Sequence, residues 1–299
     1  MRSATVWFLP AAAPSVEVSI RRERVQGIDI GAGPSAVLRS RAALFLEQRL
    51  SGKASDGALR HSLNNRLLSP GQAPLIEDIL SLQMFDDPAQ GQVAVFGAAQ
   101  IAGTPTPYAL RLMIADDTVV EVEEIISSAR HGHFADVDQL LKPDVLYEAP
   151  VPAHRAVDRD GLRQAADSYW QALEESDGSL ARFAYRCDRY DNGKKITNNL
   201  SILLSQDAAV HTPASCINAT RPARPLARNR RFPVLDTRLG VAVSFVLVDF
   251  HPAPHIDRPD CGTFYMAGLF KISDGEIRSL DEIREIIPLG AEEVWTTSS

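Results

Sequence analysis

Acid/base chemistry needs an ionisable side chain held against apolar surface, where burial moves its pKa toward neutrality. One stretch of this 299-residue chain has that pattern. Along Gly240–Phe250, Val241, Val243, Phe245 and Leu247 alternate onto one face of a predicted strand, and the same parity carries Asp249 and His251 to its end. Read for function, Asp249 and His251 stand at a pocket mouth, where burial would raise the Asp pKa. Read plainly, the strand stops at Asp249 and His251-Pro-Ala-Pro-His255 is an exposed loop. A metal site is not predicted. Asp249, His251, His255 and Cys261 lie close together, as do His131 and His133, but neither spacing fits a known ligand pattern, and the prolines prevent helical i, i+4 geometry. No G-x-G-x-x-G, G-x-x-x-x-G-K-[ST] or G-x-S-x-G motif is present, so neither a nucleotide cofactor nor serine hydrolase chemistry is expected, and no cofactor is assigned.

Arginine outnumbers lysine 26 to five, and six arginines (221, 224, 228, 230, 231, 238) share one stretch with a single acid, Asp236. Guanidinium groups pair with planar anions, which would make this an anion site; the alternative is a charged segment whose arginines meet acids elsewhere. Overall the chain is acidic, with a formal charge of −7, which argues against a nucleic-acid partner. No apolar run is long enough for a membrane helix. The three cysteines, 187, 216 and 261, form no CxxC pair; a Cys187–Cys216 disulfide and three partly buried thiols are both open readings. Pro10 interrupts an already short apolar stretch, making the N-terminus a poor signal peptide, so a cytoplasmic location is expected. Secretion is the alternative, under which the sequons at Asn199 and Asn218 gain meaning.

The elements that must position these residues occur twice. Tyr108–Ile125 matches Met266–Ile283 in pattern, with Ala109/Ala267, Ile114/Ile272, Asp116/Asp274, Glu124/Glu282 and Ile125/Ile283 coinciding at an offset of 158 residues. In each copy an apolar strand meets an Asp-Asp or Asp-Gly turn and a second strand follows, a hairpin signal. Upstream lies another strand-like run, shorter in the first copy (Gln92–Gly97) than in the second (Gly240–Phe250). Further upstream, Leu162, Ala165, Ala166, Tyr169 and Leu173 predict an amphipathic helix over 160–175 capped by Asp158 or Asp160, and Ala42–Leu50 is its weaker counterpart. The polar turns that follow, Leu63-Asn-Asn-Arg66 and Tyr190-Asp-Asn-Gly193, align Asn64-Asn65 with Asp191-Asn192. The chain therefore divides into an N-terminal extension (1–35), a degenerate first α+β unit (36–150) and a second unit (151–299) holding the pocket, joined through the proline-rich stretch 143–158.

This order of elements resembles the NTF2-like (SnoaL-like) superfamily, whose members fold as a cone of helices on a curved antiparallel sheet. Three segments resemble an uncharacterised group with two such units in tandem: the linker with its helix, Cys187–Asn198, and Arg231–Val241 with Thr263–Ile272. The resemblance implies two tandem cone domains paired as an internal pseudo-dimer, with a homodimer as a further arrangement. It also implies a hydrophobic pocket for a small-molecule substrate and cofactor-independent lyase, isomerase or cyclase chemistry of the kind found in secondary metabolism; a non-catalytic binding or assembly module is the alternative. Asp191 then takes the place of a general base, although Asp191-Asn192-Gly193 also reads as a turn. Tyr169 takes the place of a hydrogen-bond donor to a developing oxyanion, although an aromatic at helical spacing also reads as core. Tyr185, Arg186, Arg189 and Tyr265 would line the same cavity, an arginine orienting the substrate.

Overall fold

A computed structural model describes residues 33–52, 59–128, 136–199, 225–250 and 262–295. They form an α+β structure with two six-stranded mixed sheets, each backed by one long helix. Helix α1 (Pro34–Leu50) opens with proline in its first turn, where the missing N–H costs nothing, and buries Leu38, Ala42, Phe45, Leu46 and Arg49 along one face. It begins before the Ala42 suggested by periodicity. The short helix α2 (Val137–Leu140) precedes the linker. Helix α3 (Arg159–Glu175) is capped as predicted: Asp158 accepts a hydrogen bond from the Gly161 N–H at 2.8 Å.

In the first sheet, strands β3 (Asp78–Asp87), β4 (Gln92–Ile101), β5 (Thr104–Ala115) and β6 (Thr118–Ile126) form an antiparallel meander. Strand β1 (Arg60–Leu63) adds in parallel to β6, and β2 (Arg66–Leu67) forms the edge. The second sheet repeats this order with β9 (Leu226–Asp236), β10 (Val241–Phe250), β11 (Gly262–Ser273) and β12 (Glu276–Ile287), then β7 (Phe183–Asp191) and β8 (Lys194–Lys195). The meander thus has four strands per unit where sequence reading found three, because β3 and β9 lack a clean alternation. Both predicted hairpin turns hold positive φ, at Asp116-Asp117 and Asp274-Gly275, the geometry that matches strand twist.

Two register expectations are corrected. The first-copy strand β4 is as long as β10, ten residues each, so the first sheet is not shortened. Sequence comparison lost this because two residues, Ala102-Gly103, join β4 to β5, whereas residues 251–261 separate β10 from β11. Leu63 pairs with Glu124 as Asp191 pairs with Glu282, so Asn64 corresponds to Asn192 and Asn65 to Gly193.

The two sheets pack face to face. Phe85, Ala94, Phe96, Ala109 and Ile125 of the first join Val243, Phe245, Leu247, Tyr265 and Ile283 of the second in one buried cluster, which Tyr147 of the linker completes. The opposite faces cover the helices: Tyr169, Trp170 and Phe270 fill the second unit, and Phe45, Tyr108 and Leu110 the first. Parity therefore grouped Val241, Val243, Phe245 and Leu247 correctly, but their face is the contact between sheets and not the space under the helix.

Candidate functional site

Among the described residues, the space under α3 in the second unit holds a buried apolar cluster. Tyr169 makes edge contacts with Trp170 and Phe270, centroids 4.8 and 5.8 Å away, and its hydroxyl donates to Glu282 Oε1 at 2.7 Å. Burial pushes its phenol well above the ordinary range, so it is a neutral donor committed to Glu282. Arg189 completes that carboxylate, with Nε 2.8 Å and Nη2 2.7 Å from Oε2. Asp191 is held by both arms of Arg284, each at 2.7 Å. Asp191, Tyr169 and Arg189 thus lie in buried ion-pair and hydrogen-bond networks, with their polar groups committed to Arg284 and Glu282.

Tyr185 and Arg186 do not line this interior. Tyr185 is 98% exposed and Arg186 is exposed, because register breaks between Phe183 and Asp188 where β7 meets β12, turning both side chains outward. Tyr265 faces the other sheet, and its hydroxyl donates to Glu123 of β6. Asp249 receives Arg228 at 2.8 and 3.1 Å and Thr263 Oγ1 at 2.5 Å. The Arg228 hydrogen bond holds this carboxyl below its usual range, opposite to the raised pKa expected from parity. His251 lies outside the described residues, as do His131, His133, His255, Cys216, Cys261 and Asn218. Among the described residues no group of three His, Cys, Asp or Glu side chains is placed to hold a metal ion, and no helix is long and apolar enough to cross a membrane.

Three of the described arginines of the basic stretch, Arg228, Arg230 and Arg231, meet acids. Arg230 pairs with Asp167 at 3.1 Å and with Glu174, and Arg231 pairs with Glu123 and Glu293. They border an open cleft of about 900 Å3 with Arg111, Arg163 and Trp295, whose ring lies between the Arg60 and Arg111 guanidinium carbons, each 4.6 Å from its centroid. Their charge is spent on neighbouring carboxylates.

A second cavity, about 220 Å3, lies between the sheets. Gln83 of β3, Phe96 and Gly97 of β4, Tyr190 of β7 and Asp281, Glu282 and Ile283 of β12 line it, together with the end of α2 and residues 142–144. Gly97 is required here: a Cβ would lie 2.1 Å from the Ser81 carbonyl oxygen, where β3 bulges. Asp281 shows part of its surface to the cavity, yet its Oδ1 is sealed from solvent and has no hydrogen-bond partner. Burial, helped by the negative charges of Asp144, Glu282 and Asp188, pushes its carboxyl up to about 8. At neutral pH Asp281 is a carboxylic acid with a proton to give. The Tyr190 phenol in the same wall is pushed to about 12 by burial and by Asp188, Asp281 and Asp144. Sequence reading passed over Asp281 although it shares parity with the apolar Ile283; its distinguishing environment comes from Gln83, Phe96 and the linker, far away in the chain.

Residues 155–284, the span from just before α3 into β12, match a family described as a domain of unknown function, DUF8021. The match includes Asp281, Glu282 and Tyr169 and excludes Gln83 and Phe96. No curated protein matches the chain.

Proposed function

We propose that this is a two-unit protein of NTF2-like type that binds a compact organic molecule between its sheets, and that Asp281 transfers a proton to or from it. The observation that carries this reading is a carboxyl with one buried, unpartnered oxygen in the wall of an open cavity, since buried polar atoms are nearly always satisfied; of the two such oxygens among the described residues, the other, Asp78 Oδ1, lines neither cavity. A pKa near working pH is what a general acid/base requires, and a proton moved by a side chain needs no cofactor, which suits lyase, isomerase or cyclase chemistry. The cavity is smaller than the roughly 300–1,000 Å3 of sites for drug-sized ligands, so the molecule is small. Glu282, which Tyr169 and Arg189 bond under α3, also lines this cavity.

The test is a thermal-shift screen of small metabolites against wild type and Ile283→Phe, combined with carbon NMR titration of the Asp281 carboxyl. The reading expects compounds that stabilise wild type but not the filled variant, and a titration midpoint near 8. A midpoint near the ordinary value of about 4, with no compound discriminating the two proteins, would overturn it. A non-catalytic assembly module is the second reading, favoured by the closed packing of Tyr169, Trp170 and Phe270 under α3. It expects ligand binding without turnover, or neither.

A further inference from the structure

The two sheets place one acid each at the same point of their shared interface, Glu123 in β6 and Asp281 in β12. Glu123 lies opposite Arg111, and Asp281 lies opposite Leu269. The surroundings of Glu123 are complete: Arg111, Arg231 and Tyr265 all donate to its carboxylate, with Arg231 Nη2 at 2.5 Å and Nη1 at 3.2 Å. The Arg231 guanidinium also stands 5.6 Å from the centroid of the Phe245 ring.

Strand register carries each of these residues to its counterpart in the other half. Phe245 pairs with Ala267 as Phe96 pairs with Ala109, so the ring is retained. Arg231 pairs with Phe245 as Gln83 pairs with Phe96, so the guanidinium becomes an amide. Tyr265 pairs with Leu247 as Pro107 pairs with Ala98, and Arg111 becomes Leu269, so the phenol and the second guanidinium are also gone. The Asp281 side therefore keeps an acid and an aromatic wall and lacks every cation that completes the same arrangement around Glu123. What stands there is the 220 Å3 cavity.

We infer that this cavity takes a small organic cation, of guanidinium, amidinium or ammonium type, seated against Phe96 with an N–H group donating to Asp281 Oδ2, the carboxyl oxygen that is not sealed from solvent. The inference rests on the reading of the cavity as a ligand site and names the ligand's class. Of the acids that bear on Asp281, Glu282 is paired with Arg189 at 2.7 Å and Asp188 with Lys195 at 2.9 Å, while Asp144 lies in the cavity wall; the exposed Lys142 is the one cation among the described lining residues. Tyr147 and Tyr190, whose phenols feel the Asp281 charge, are raised by burial and so add no negative charge near pH 7. When the cation enters, the Asp281 proton passes to solvent and the carboxylate that remains pairs with the ligand, so binding releases up to one proton.

Benzamidine, benzamide and benzoate share one shape and differ in charge, and methylguanidine is a smaller cation; calorimetry at pH 7 in two buffers of different ionisation enthalpy reads affinity and proton release together. Benzamidine or methylguanidine is expected to bind wild type with proton release, and Asp281→Asn to weaken it at least tenfold. Gln83→Arg, which rebuilds the Arg231 contact inside the chain, is expected to abolish binding and raise the Tm, and it decides the matter if Asp281→Asn fails to fold. If neither cation binds, or if Gln83→Arg binds them as wild type does, the inference is overturned. If benzamide or benzoate binds in an Asp281-dependent way and the cations do not, the ligand class is wrong while the cavity reading stands. If no probe of any charge binds and the metabolite screen is also blank, both fall.

Discussion

Asn64 and Asn192 clamp equivalent strands with the same pair of hydrogen bonds. The Asn64 amide donates to the Ile126 carbonyl and accepts from the Ile126 N–H, both at 3.0 Å; Asn192 does the same with Arg284, at 3.3 and 2.9 Å. Both residues hold positive φ, 49° and 47°, a region that asparagine tolerates and most residues do not. What reads in sequence as a turn beside a candidate base is the lock that fixes β1 on β6 and β7 on β12. Asn192→Ala or Asn64→Ala should each cost about 2–3 kcal/mol in urea unfolding, from orphaned backbone groups together with the strained φ. A loss below about 0.5 kcal/mol at either position would mean that the lock is dispensable.

Glu123→Gln should be among the most damaging single changes. It removes the carboxylate that Arg111 and Arg231 share and leaves them only Glu121 and Glu293, so the loss should approach, from below, the roughly 3–5 kcal/mol of a buried charge left unpaired. Equilibrium denaturation should show the loss, with Arg111→Met plus Glu123→Met less harmful than Glu123→Gln if unpaired charge is the cause.

Tyr169→Phe removes the donor to Glu282 Oε1 and nothing else from the core. A loss of about 1–3 kcal/mol in stability is expected, read in urea unfolding. A ligand whose affinity fell with stability unaltered would return Tyr169 to the binding machinery.

The pH dependence of stability separates the two carboxylate types. The folded pKa of Asp281, about 8, lies above its unfolded value, so between roughly pH 4 and 8 the folded state holds one more proton than the unfolded chain. Stability from this group is fully present below about pH 4 and is lost as pH rises through 8. Glu124 behaves oppositely: His61 and Arg49 outweigh burial and hold it down at about 2, so its contribution is present above the unfolded value and is lost as pH falls toward 2. Asp281→Asn should flatten the decline between pH 5 and 8 in Tm measurements and leave the acid limb unchanged. An unchanged decline would show that Asp281 titrates normally.

Trp295 ties the segment after β12 to the first unit. Its indole N–H donates to Ser62 Oγ at 2.9 Å, its ring lies between two guanidinium groups, and Asn65 holds the backbone of Glu292 and Val294. Trp295→Ala should cost about 3–5 kcal/mol and, if the two units unfold together, leave a single transition. Two resolved calorimetric transitions in the variant would show that this contact couples them.

Much of this architecture was legible in the chain. The hairpin repeat was visible because β5, its turn and β6 kept their spacing in both copies, and helix α3 because Asp158 and the Leu162–Tyr169 spacing agree. Strands β3 and β9 were not visible: each bulges, so alternation fails where it would have been counted. The candidate site was less legible. Asp191, Tyr169, Tyr265 and Asp249 carry the right chemical groups, but Arg284, Glu282, Glu123 and Arg228 occupy them, and three of these four partners sit about 90 to 140 positions away. Asp281 was hidden for the converse reason, since nothing near it in sequence says that its counter-charge is missing.

The unequal surroundings of Glu123 and Asp281 also bear on why one chain carries both sheets. Two identical chains paired through this interface would express every substitution twice, so opening a cavity by removing an arginine would weaken both sides of the seam. A fused chain breaks that symmetry. One side keeps its full complement of arginines and holds the sheets in register, and the other is free to leave an acid waiting.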